Sequence, residues 1–274
     1  MERIRRVSEQ LTSNEEKAVT VSIEGVNKEI GVISMSYASN MNALNHVMRS
    51  QLIRAFRELQ VHPSVKVICL RSTLPKVFCA GANIKDFETR TYEISILDDN
   101  FLELTQAITG VRKPIISAIN KLALGGGLEI ALLGDIIVAS EDANLGLPEI
   151  KLGLMPGIGG TLISKIIGKS NAMKMILSGE WISARQALEW GIVSDVFKNE
   201  ELHAKQLELA EKLCKMSLYT LSVAKAAVKF SYENNANQGL EFERRTFESL
   251  FSLPGAKEGI QAFIAKKKPD FKGK

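Results

Sequence analysis

Three consecutive glycines stand directly before an apolar run in the stretch LALGGGLEIALLGD, residues 122–135. Glycine lowers helix propensity and loses more backbone entropy on folding than other residues. Three glycines at the start of a predicted helix therefore call for a structural or functional explanation. It follows a predicted strand and opens a predicted helix, where exposed N–H groups and the helix dipole favour a bound anion or oxygen. The residues alone leave two interpretations open: a ligand approached closely by the backbone, or a tight turn with close packing.

A second loop with glycine, FCAGANI at residues 78–84, also lies between a predicted strand and a helix. Two such loops facing each other would hold one carbonyl oxygen between two amides, which is an oxyanion hole. Neither the triple glycine nor the later PGIGGT stretch, residues 156–161, fits a dinucleotide site, because the G-x-G-x-x-G spacing meets Ile130 in the first and Leu162 in the second. The sequence contains neither a G-x-S-x-G nor a Walker motif.

Two glutamates lie in apolar sequence near the triple glycine. Glu129 is flanked by Leu128 and Ile130, and Glu149 lies in GLPEIKLGLMPG. A carboxyl group in apolar surroundings has a raised pKa and can act as a general acid or base near neutral pH. A first-turn acid favoured by the helix dipole and an ordinary loop acid are the alternatives.

The elements that must position these groups alternate between strands and helices in the first half of the chain. Apolar runs predict strands over residues 18–24, 30–37, 65–72, 114–120 and 135–140, and apolar spacing predicts a helix over residues 42–60. Strands separated by helical segments predict an α/β fold with crossover connections.

From residue 184 onwards the strand pattern nearly vanishes. Ser183 is a predicted N-cap of a short helix that Gly191 ends. Amphipathic spacing then predicts helices over residues 200–216, 218–233 and 240–250, and a last helix over 256–268.

Composition excludes several classes of protein and site. The 274 residues are 45% hydrophobic and 24% charged, as in ordinary globular proteins. Three separated cysteines and three scattered histidines indicate neither a disulfide framework nor a metal centre, and they favour a reducing, cytoplasmic location. No apolar run approaches the ~20 residues of a membrane span, and the polar amino terminus lacks a signal-peptide core, so we expect no membrane partner.

The net charge of +4 lies in the last eighteen residues, which hold six lysines and two acids. A solvated end or a local anion-binding tail fits this pattern. A non-catalytic RNA-binding protein is the alternative from another class, but the tail has only Phe263 and Phe271 as aromatic residues. We therefore expect no nucleic-acid partner.

The segments FCAGANIKDF, LALGGGLEIALLGDIIVASEDANLGLPEIKLGLMPGIGGT and AFIAKKKPDF resemble the crotonase superfamily, specifically the enoyl-CoA hydratases. The resemblance extends over residues 18–271. It implies an α/β spiral of repeated β-β-α units, a helical C-terminal trimerisation region, and a homotrimer or a homohexamer of stacked trimers. We accordingly predict a polar leader at 1–17, a spiral core at 18–199 and a helical oligomerisation region at 200–274.

The resemblance also implies roles for particular residues. The N–H groups of Ala82 and Gly126 would form an oxyanion hole for the thioester oxygen of a coenzyme A ester. Glu129 and Glu149 match the two glutamates of members that hydrate enoyl esters, and the Gly157 N–H would position the catalytic water. The implied substrate-binding residues are Ala80, Ala82, Asn83, Ile84, Lys85 and Gly126, with Phe263 and Lys266 reaching the adenosine end of a neighbouring subunit's ligand.

The implied activity is addition of water to a 2-enoyl-CoA thioester to give a 3-hydroxyacyl-CoA. Glu129 would take a proton from water and Glu149 would give one to the α-carbon. No metal or redox cofactor is expected, since coenzyme A is part of the substrate. Isomerisation of an enoyl-CoA double bond, with Glu149 alone moving the proton, is the closest alternative.

Three positions depart from the common pattern of the family. Asn83 replaces an aspartate, and Lys121 replaces a glycine, so a positive φ there would be strained. Leu147 replaces a glutamine that can bind a catalytic carboxylate in some hydratases. This last departure affects the hydrogen bonding, and so the acid–base properties, of the Glu129 carboxyl group.

Overall fold

Strands form a large and a small sheet in this computed structural model, which describes residues 16–97 and 100–273. Along the chain they are β1 (Val19–Glu24), β2 (Ile30–Met35), β3 (Val67–Ser72), β4 (Ile115–Ile119), β5 (Leu122–Leu124), β6 (Ile136–Ser140), β7 (Asn144–Gly146), β8 (Trp181–Ser183) and β9 (Asp195–Phe197). The large sheet has the order β1-β2-β3-β4-β6-β9, and the small one β5-β7-β8. β1 pairs antiparallel with β2, and the rest of the large sheet is parallel.

The helices of the described residues alternate with these strands and then dominate the C-terminal part. They are α1 (His46–Val61), α2 (Tyr92–Leu97), α3 (Asn100–Thr109), α4 (Gly126–Leu132), α5 (Gly159–Ser178), α6 (Ala184–Glu189), α7 (Leu202–Cys214), α8 (Leu218–Glu233), α9 (Ala236–Leu250) and α10 (Pro254–Ile264). Ser183 accepts a hydrogen bond from the Gln186 N–H at 3.2 Å, as the predicted N-cap requires. α5 is broken at Gly168, whose φ of +75° is non-helical.

Successive turns of the chain each place one segment in each sheet. β4 is followed by β5 and α4, and β6 is followed by β7. Isolated bridges pair Leu44 with Ala82 and Cys79 with Ala123, so earlier turns reach the small sheet too. This is the spiral of β-β-α units that the resemblance implies. The strand pattern alone predicted the crossovers and the α/β class, but neither the small sheet nor β9.

The inner strands β2, β3, β4 and β6 are buried on both faces, which explains why they read as continuous apolar runs. Alternate residues such as Ile33 and Ile68 enter the main core, while Val32 and Val67 face the opposite side. α7 covers that opposite side with Ala210 and Cys214, together with Leu202. The helix that begins the predicted oligomerisation region thus completes the hydrophobic core.

The remaining C-terminal helices lie close to their predicted positions. α8 matches its predicted range, whereas α9 begins four residues earlier than expected and α10 ends at Ile264. Lys225 anchors α8 to the sheet, because its buried ammonium lies 2.6 Å from the Asp135 carboxylate and donates to the Lys113 carbonyl. The division into three segments stays a prediction, and residues 1–15 of the leader lie outside the described residues.

The corner between β4 and β5 contains a departure from the family pattern. Lys121 has a φ of +55°, the left-handed conformation that costs energy for a residue with a side chain. Its N–H donates to the Ser140 hydroxyl and its ammonium pairs with Asp142. These contacts hold the corner in place of a glycine. Across the described ranges, no helix has the length and apolar character to cross a membrane.

Candidate active site

Two backbone N–H groups face each other where the first glycine loop approaches α4. The Gly81 carbonyl accepts from the Leu44 N–H at 2.7 Å, and in a planar trans peptide this turns the Ala82 N–H to the opposite side. The Gly125 carbonyl accepts from the Glu129 N–H at 3.0 Å, so the Gly126 N–H points out of the helix. Within residues 16–97 and 100–273, no hydrogen bond uses either the Ala82 or the Gly126 N–H.

The two amides lie close to each other. A methyl group on Gly126 would lie 3.6 Å from the Ala82 nitrogen, and one on Gly81 would lie 3.6 Å from the Gly126 nitrogen. Two donors converging on one point at the start of a helix stabilise negative charge there. The arrangement is compatible with the predicted oxyanion hole, which stays a prediction.

Each glycine of the triplet has its own physical reason. Gly125 has a φ of +50°, and a methyl there would lie 2.9 Å from a Glu149 carboxylate oxygen. On Gly127 a methyl would lie 2.3 Å from the Cys79 carbonyl oxygen, which excludes any side chain. Gly126 leaves open the space in front of the two amides. The packing interpretation therefore holds at Gly125 and Gly127, and the functional interpretation of Gly126 stays a prediction.

A buried asparagine holds the loop that carries Ala82. The Asn42 side chain donates to the Phe78 carbonyl at 2.9 Å and accepts from the Tyr37 N–H at 2.7 Å. Asn42 is fully buried, and the N–H of Ala80 donates to the adjacent Met41 carbonyl at 3.1 Å. The short loop is thereby fixed to the segment before α1.

Glu129 is buried, with 2% of its surface exposed, and one of its oxygens is held by the backbone. Its Oε1 accepts from the Ile158 N–H at 2.8 Å and from the Gly159 N–H at 2.7 Å. These amides begin α5, so the positive end of the helix dipole also faces the carboxylate. A methyl on Gly157 would lie 3.8 Å from Oε2, and no hydrogen bond in the described part of the chain uses the Gly157 N–H.

Glu149 occupies a different environment at the start of a 3-10 turn. Burial raises the pKa of its carboxyl group to about 7, and the negative charge of Glu129 adds to the rise, while a hydrogen bond from its own N–H opposes it. Its Oε2 atom is buried and has no hydrogen-bond partner among the described residues. Glu149 therefore combines a raised pKa with one buried carboxyl oxygen that no described residue binds, next to the triple glycine.

Comparison with known proteins agrees with this geometry. The profile of the enoyl-CoA hydratase/isomerase family matches residues 25–274. The chain belongs to this family. A relative from Dictyostelium discoideum, named "Probable enoyl-CoA hydratase, mitochondrial", is 40% identical over 89% of this chain and 88% of its own. The 2,3-dehydroadipyl-CoA hydratase of Escherichia coli K12 is 39% identical over 89% and 95%.

A solved structure from Geobacillus kaustophilus, described as subunit I of an enoyl-CoA hydratase, superposes with a TM-score of 0.89. It is 34% identical and covers 94% of this chain and 98% of its own. The crotonase-like fold that the resemblance implied is therefore confirmed.

The structure brings the predicted catalytic set of this family together. Ala82 and Gly126 form the pair of amides, and Glu129 lies beside Gly157. Glu149 contacts the glycine loop and lies within electrostatic reach of Glu129. Their roles stay predictions.

The predicted substrate-binding residues divide into two groups. Asn83 precedes a short 3-10 turn and its side-chain amide donates to the Asp86 carboxylate at 2.6 Å. Ile84 and Lys85 follow it with exposed side chains. Ala80 precedes the hole in the same loop. Phe263 and Lys266 lie at the end of α10, where Phe263 is 84% exposed, and no described hydrogen bond or ion pair links them to the glutamates.

Sequence patterns missed the residues that surround the hole and hold Glu129. The Ile158 and Gly159 amides bind the carboxylate by main-chain atoms, which no side-chain motif reveals. Leu147 is fully buried and packs where a methyl on Gly159 would lie, at 2.9 Å. The helix start of α5 thus holds Glu129 without the glutamine that some relatives have at this position.

Proposed function

We propose that this protein is an enoyl-CoA hydratase, which adds water across the 2,3 double bond of a 2-enoyl-CoA thioester to give a 3-hydroxyacyl-CoA. The observation that carries the proposal is the contrast between its two carboxyl groups. Glu129 is bound through one oxygen by two amides, whereas the pKa of Glu149 is raised to about 7 by burial. A carboxylate oxygen held by two amides, next to a carboxyl group that burial keeps protonated up to about pH 7, supports one base and one acid.

The amides of Ala82 and Gly126 bind the thioester oxygen. When water attacks C3, negative charge moves through the conjugated system to that oxygen and an enolate-like state forms. Both donors are already oriented, so the charge is stabilised without rearrangement of the protein.

The two glutamates move the protons. Oε2 of Glu129 takes a proton from a water bound near the Gly157 N–H, and the hydroxyl oxygen forms its bond to C3. Protonated Glu149 delivers its proton to C2, which restores the thioester carbonyl. The pair then exchanges one proton with solvent, so the sum is one water added to the double bond.

This scheme needs no metal and no redox cofactor. The electrons of the double bond are redistributed but none leaves the substrate, and both proton transfers use carboxyl groups of this chain. Coenzyme A is the carrier of the substrate.

Loss of the ultraviolet absorbance of crotonyl-CoA on addition of the purified protein tests the proposal. Conversion of a 3-enoyl-CoA to its conjugated isomer, without hydration of crotonyl-CoA, would identify an isomerase instead. Salt titration of RNA binding tests the alternative from the other class, because binding through phosphates weakens steeply with salt.

The raised pKa of Glu149 predicts the pH dependence of hydration. Because the acid must carry a proton, kcat/KM is expected to fall as the pH rises through about 7. Initial rates with crotonyl-CoA between pH 5.5 and 9 measure this limb. A rate that stays constant across this range would contradict the assignment of Glu149 as the acid.

We further propose that the protein assembles as a homotrimer or as a hexamer of two trimers. Large apolar side chains on α9 and α10 are exposed in the single chain, with Leu240 at 65%, Phe247 at 59% and Ile264 at 75%. Exposed apolar surface of this kind marks protein contacts. In such an assembly Phe263 and Lys266 reach the adenosine end of a neighbouring subunit's ligand.

Light scattering tests the assembly. The mass expected at micromolar concentration is three or six times the 30.2 kDa of one chain. A mass equal to that of one chain would contradict it.

A reducing, cytoplasmic location is also proposed. Cys69, Cys79 and Cys214 are separate, buried thiols, as expected for a protein in a reducing compartment.

Cys79 lies in the first glycine loop. Burial raises the pKa of its thiol to about 12, so the thiol stays protonated near neutral pH, and the proposed scheme does not use it.

A further inference from the structure

The direction of the Ala82 N–H is set by the segment directly before α1. The Leu44 N–H donates to the Gly81 carbonyl at 2.7 Å, and Leu44 pairs with Ala82 as an isolated bridge. The Ala80 N–H donates to the Met41 carbonyl at 3.1 Å, so the loop is bound to this segment on both sides of Gly81. A shift of the segment would therefore turn the planar peptide that carries the Ala82 N–H.

Two consecutive residues of that segment have a left-handed backbone. Met41 has a φ of +47° and Asn42 has a φ of +56°. This conformation costs energy for residues with a side chain, and asparagine tolerates it better than most because its short side chain can hydrogen-bond locally. A costly backbone conformation persists only where the surrounding contacts determine it. The Asn42 side chain supplies such contacts.

The Asn42 side chain forms three hydrogen bonds inside the protein. Its Oδ1 accepts from the Tyr37 N–H at 2.7 Å, and its Nδ2 donates to the Phe78 carbonyl at 2.9 Å and to the Ser72 hydroxyl at 2.8 Å. The Ser72 hydroxyl donates in turn to the Val77 carbonyl at 2.7 Å, which ties the turn after β3 to the same side chain. A main-chain N–H can only donate and a carbonyl can only accept, so these partners fix the orientation of the Asn42 amide.

We infer, on the basis of the proposed function, that Asn42 is a positioning residue, which aims the Ala82 N–H at the thioester oxygen by holding the chain on both sides of the first glycine loop. Asn42 is fully buried, and none of the described hydrogen bonds joins its side chain to Glu129 or Glu149. A change at Asn42 therefore acts on the oxyanion hole and leaves the two carboxyl groups in their own environments.

Two substitutions at Asn42 separate its hydrogen bonds from its backbone conformation. Asn42→Asp keeps the shape of the side chain but places a carboxylate oxygen, which can only accept, against the Phe78 carbonyl oxygen. Asn42→Gly adopts the left-handed backbone without strain but forms none of the three side-chain bonds. Removal of one donor from an oxyanion hole costs about 10²–10³ in rate, so a misdirected donor is expected to lower kcat for crotonyl-CoA about tenfold or more.

The infrared carbonyl stretch of bound butanoyl-CoA, labelled with ¹³C at its carbonyl, tests the direction of the N–H without any reaction. A hydrogen bond to a carbonyl oxygen weakens the C=O bond and lowers its stretching frequency. In the wild type this frequency is expected to lie below that of the free ester. In Asn42→Asp and in Asn42→Gly it is expected to return toward the free value.

Asn45→Asp is the matched control, because the same chemical change is made at the N-cap of α1. An aspartate there can still accept from the Met48 N–H, so the helix start is preserved. The carbonyl frequency and kcat of this control are expected to equal those of the wild type. If neither Asn42 variant gives a wild-type circular dichroism spectrum, Ser72→Ala replaces them, since it removes one partner of Asn42 and is expected to shift the frequency less, in the same direction.

The outcomes distinguish the positioning role from the proposed function. A shifted frequency in the Asn42 variants, with no hydration of crotonyl-CoA by the wild type, would support the positioning role and reject the proposed function. A frequency equal to that of the wild type in the folded variants, whatever the change in kcat, would overturn the inference. A wild-type frequency equal to that of the free ester would overturn both the inference and the hole.

Discussion

Replacement of Glu149 by glutamine is expected to lower kcat for hydration of crotonyl-CoA by about 10²–10⁴, the usual contribution of a positioned acid or base. The amide keeps the shape of the side chain but cannot deliver a proton to C2. Glu129→Gln is expected to cause a loss of similar size, because a glutamine cannot take a proton from water. Its side-chain oxygen can still accept from the Ile158 and Gly159 amides, so the fold is preserved.

Steady-state kinetics with crotonyl-CoA checks both variants. Glu141→Gln is the matched control, since the same change is made at an exposed glutamate and is expected to leave kcat unchanged. Near wild-type turnover in either site variant would reject the two-carboxylate scheme. Loss in Glu149→Gln alone, with 3-enoyl-CoA isomerisation as the only activity of the wild type, would favour the isomerase.

Thermal unfolding distinguishes lost chemistry from lost structure in Glu149→Gln. The pKa of Glu149 is about 7 in the folded protein, above the ordinary value of 4.5, so the native state retains a proton that the unfolded chain has released. Its contribution to stability is therefore present at low pH and falls as the pH rises from 4.5 through about 7. The glutamine variant does not titrate at this position and lacks this pH-dependent contribution to stability. The difference between its Tm and that of the wild type is therefore expected to rise as the pH increases from 4.5 through about 7.

Gly126→Ala is the second substitution with a large expected effect, a loss of about tenfold or more in kcat/KM for crotonyl-CoA. Removal of a whole donor from such a hole costs about 10²–10³, and the methyl only obstructs it. That methyl would lie 3.6 Å from the Ala82 nitrogen and 3.5 Å from the Phe101 ring, in the space that the thioester must enter. Gly126 does not have a positive φ, so backbone strain does not contribute.

The control for Gly126→Ala must be chosen from the structure. Gly134, at the far end of the same sequence motif, is unsuitable because a methyl there would lie 2.5 Å from the Ser117 hydroxyl. Gly160→Ala is suitable, since the nearest atom to its methyl is the Ile176 Cδ1 at 3.9 Å. Affinity for butanoyl-CoA, which develops no transition-state charge, is expected to fall less than turnover of crotonyl-CoA. Equally small effects of both substitutions would reject the assignment of the hole.

The class of fold and the order of its main elements could be predicted from local sequence. The inner strands of the large sheet, β2, β3, β4 and β6, are buried on both faces, so each is a dense apolar run that can be recognised without any knowledge of its neighbours. α8 was predicted from its apolar spacing. In the structure the side chain of Ser217 caps it by accepting a hydrogen bond from the Thr220 N–H. The three-residue strands β5, β7, β8 and β9 could not be predicted, because so short a segment becomes a strand only when its partner lies beside it.

The types of the reacting residues were also set by the sequence. Glu129 and Glu149 stand out as carboxyl groups in apolar segments. The triple glycine stands out because glycine has a low helix propensity and yet precedes a helix here. Only the tertiary structure decided how each group is placed: which amides turn outward, which oxygen of Glu129 accepts hydrogen bonds, and how far the pKa of Glu149 rises. These properties depend on the direction of the main chain and on burial by segments distant in sequence, and local sequence patterns reveal neither. Phe101 shows the limit most plainly, since it is an ordinary apolar helix residue in sequence and lies beside Gly126 and Gly157 only because of the tertiary fold.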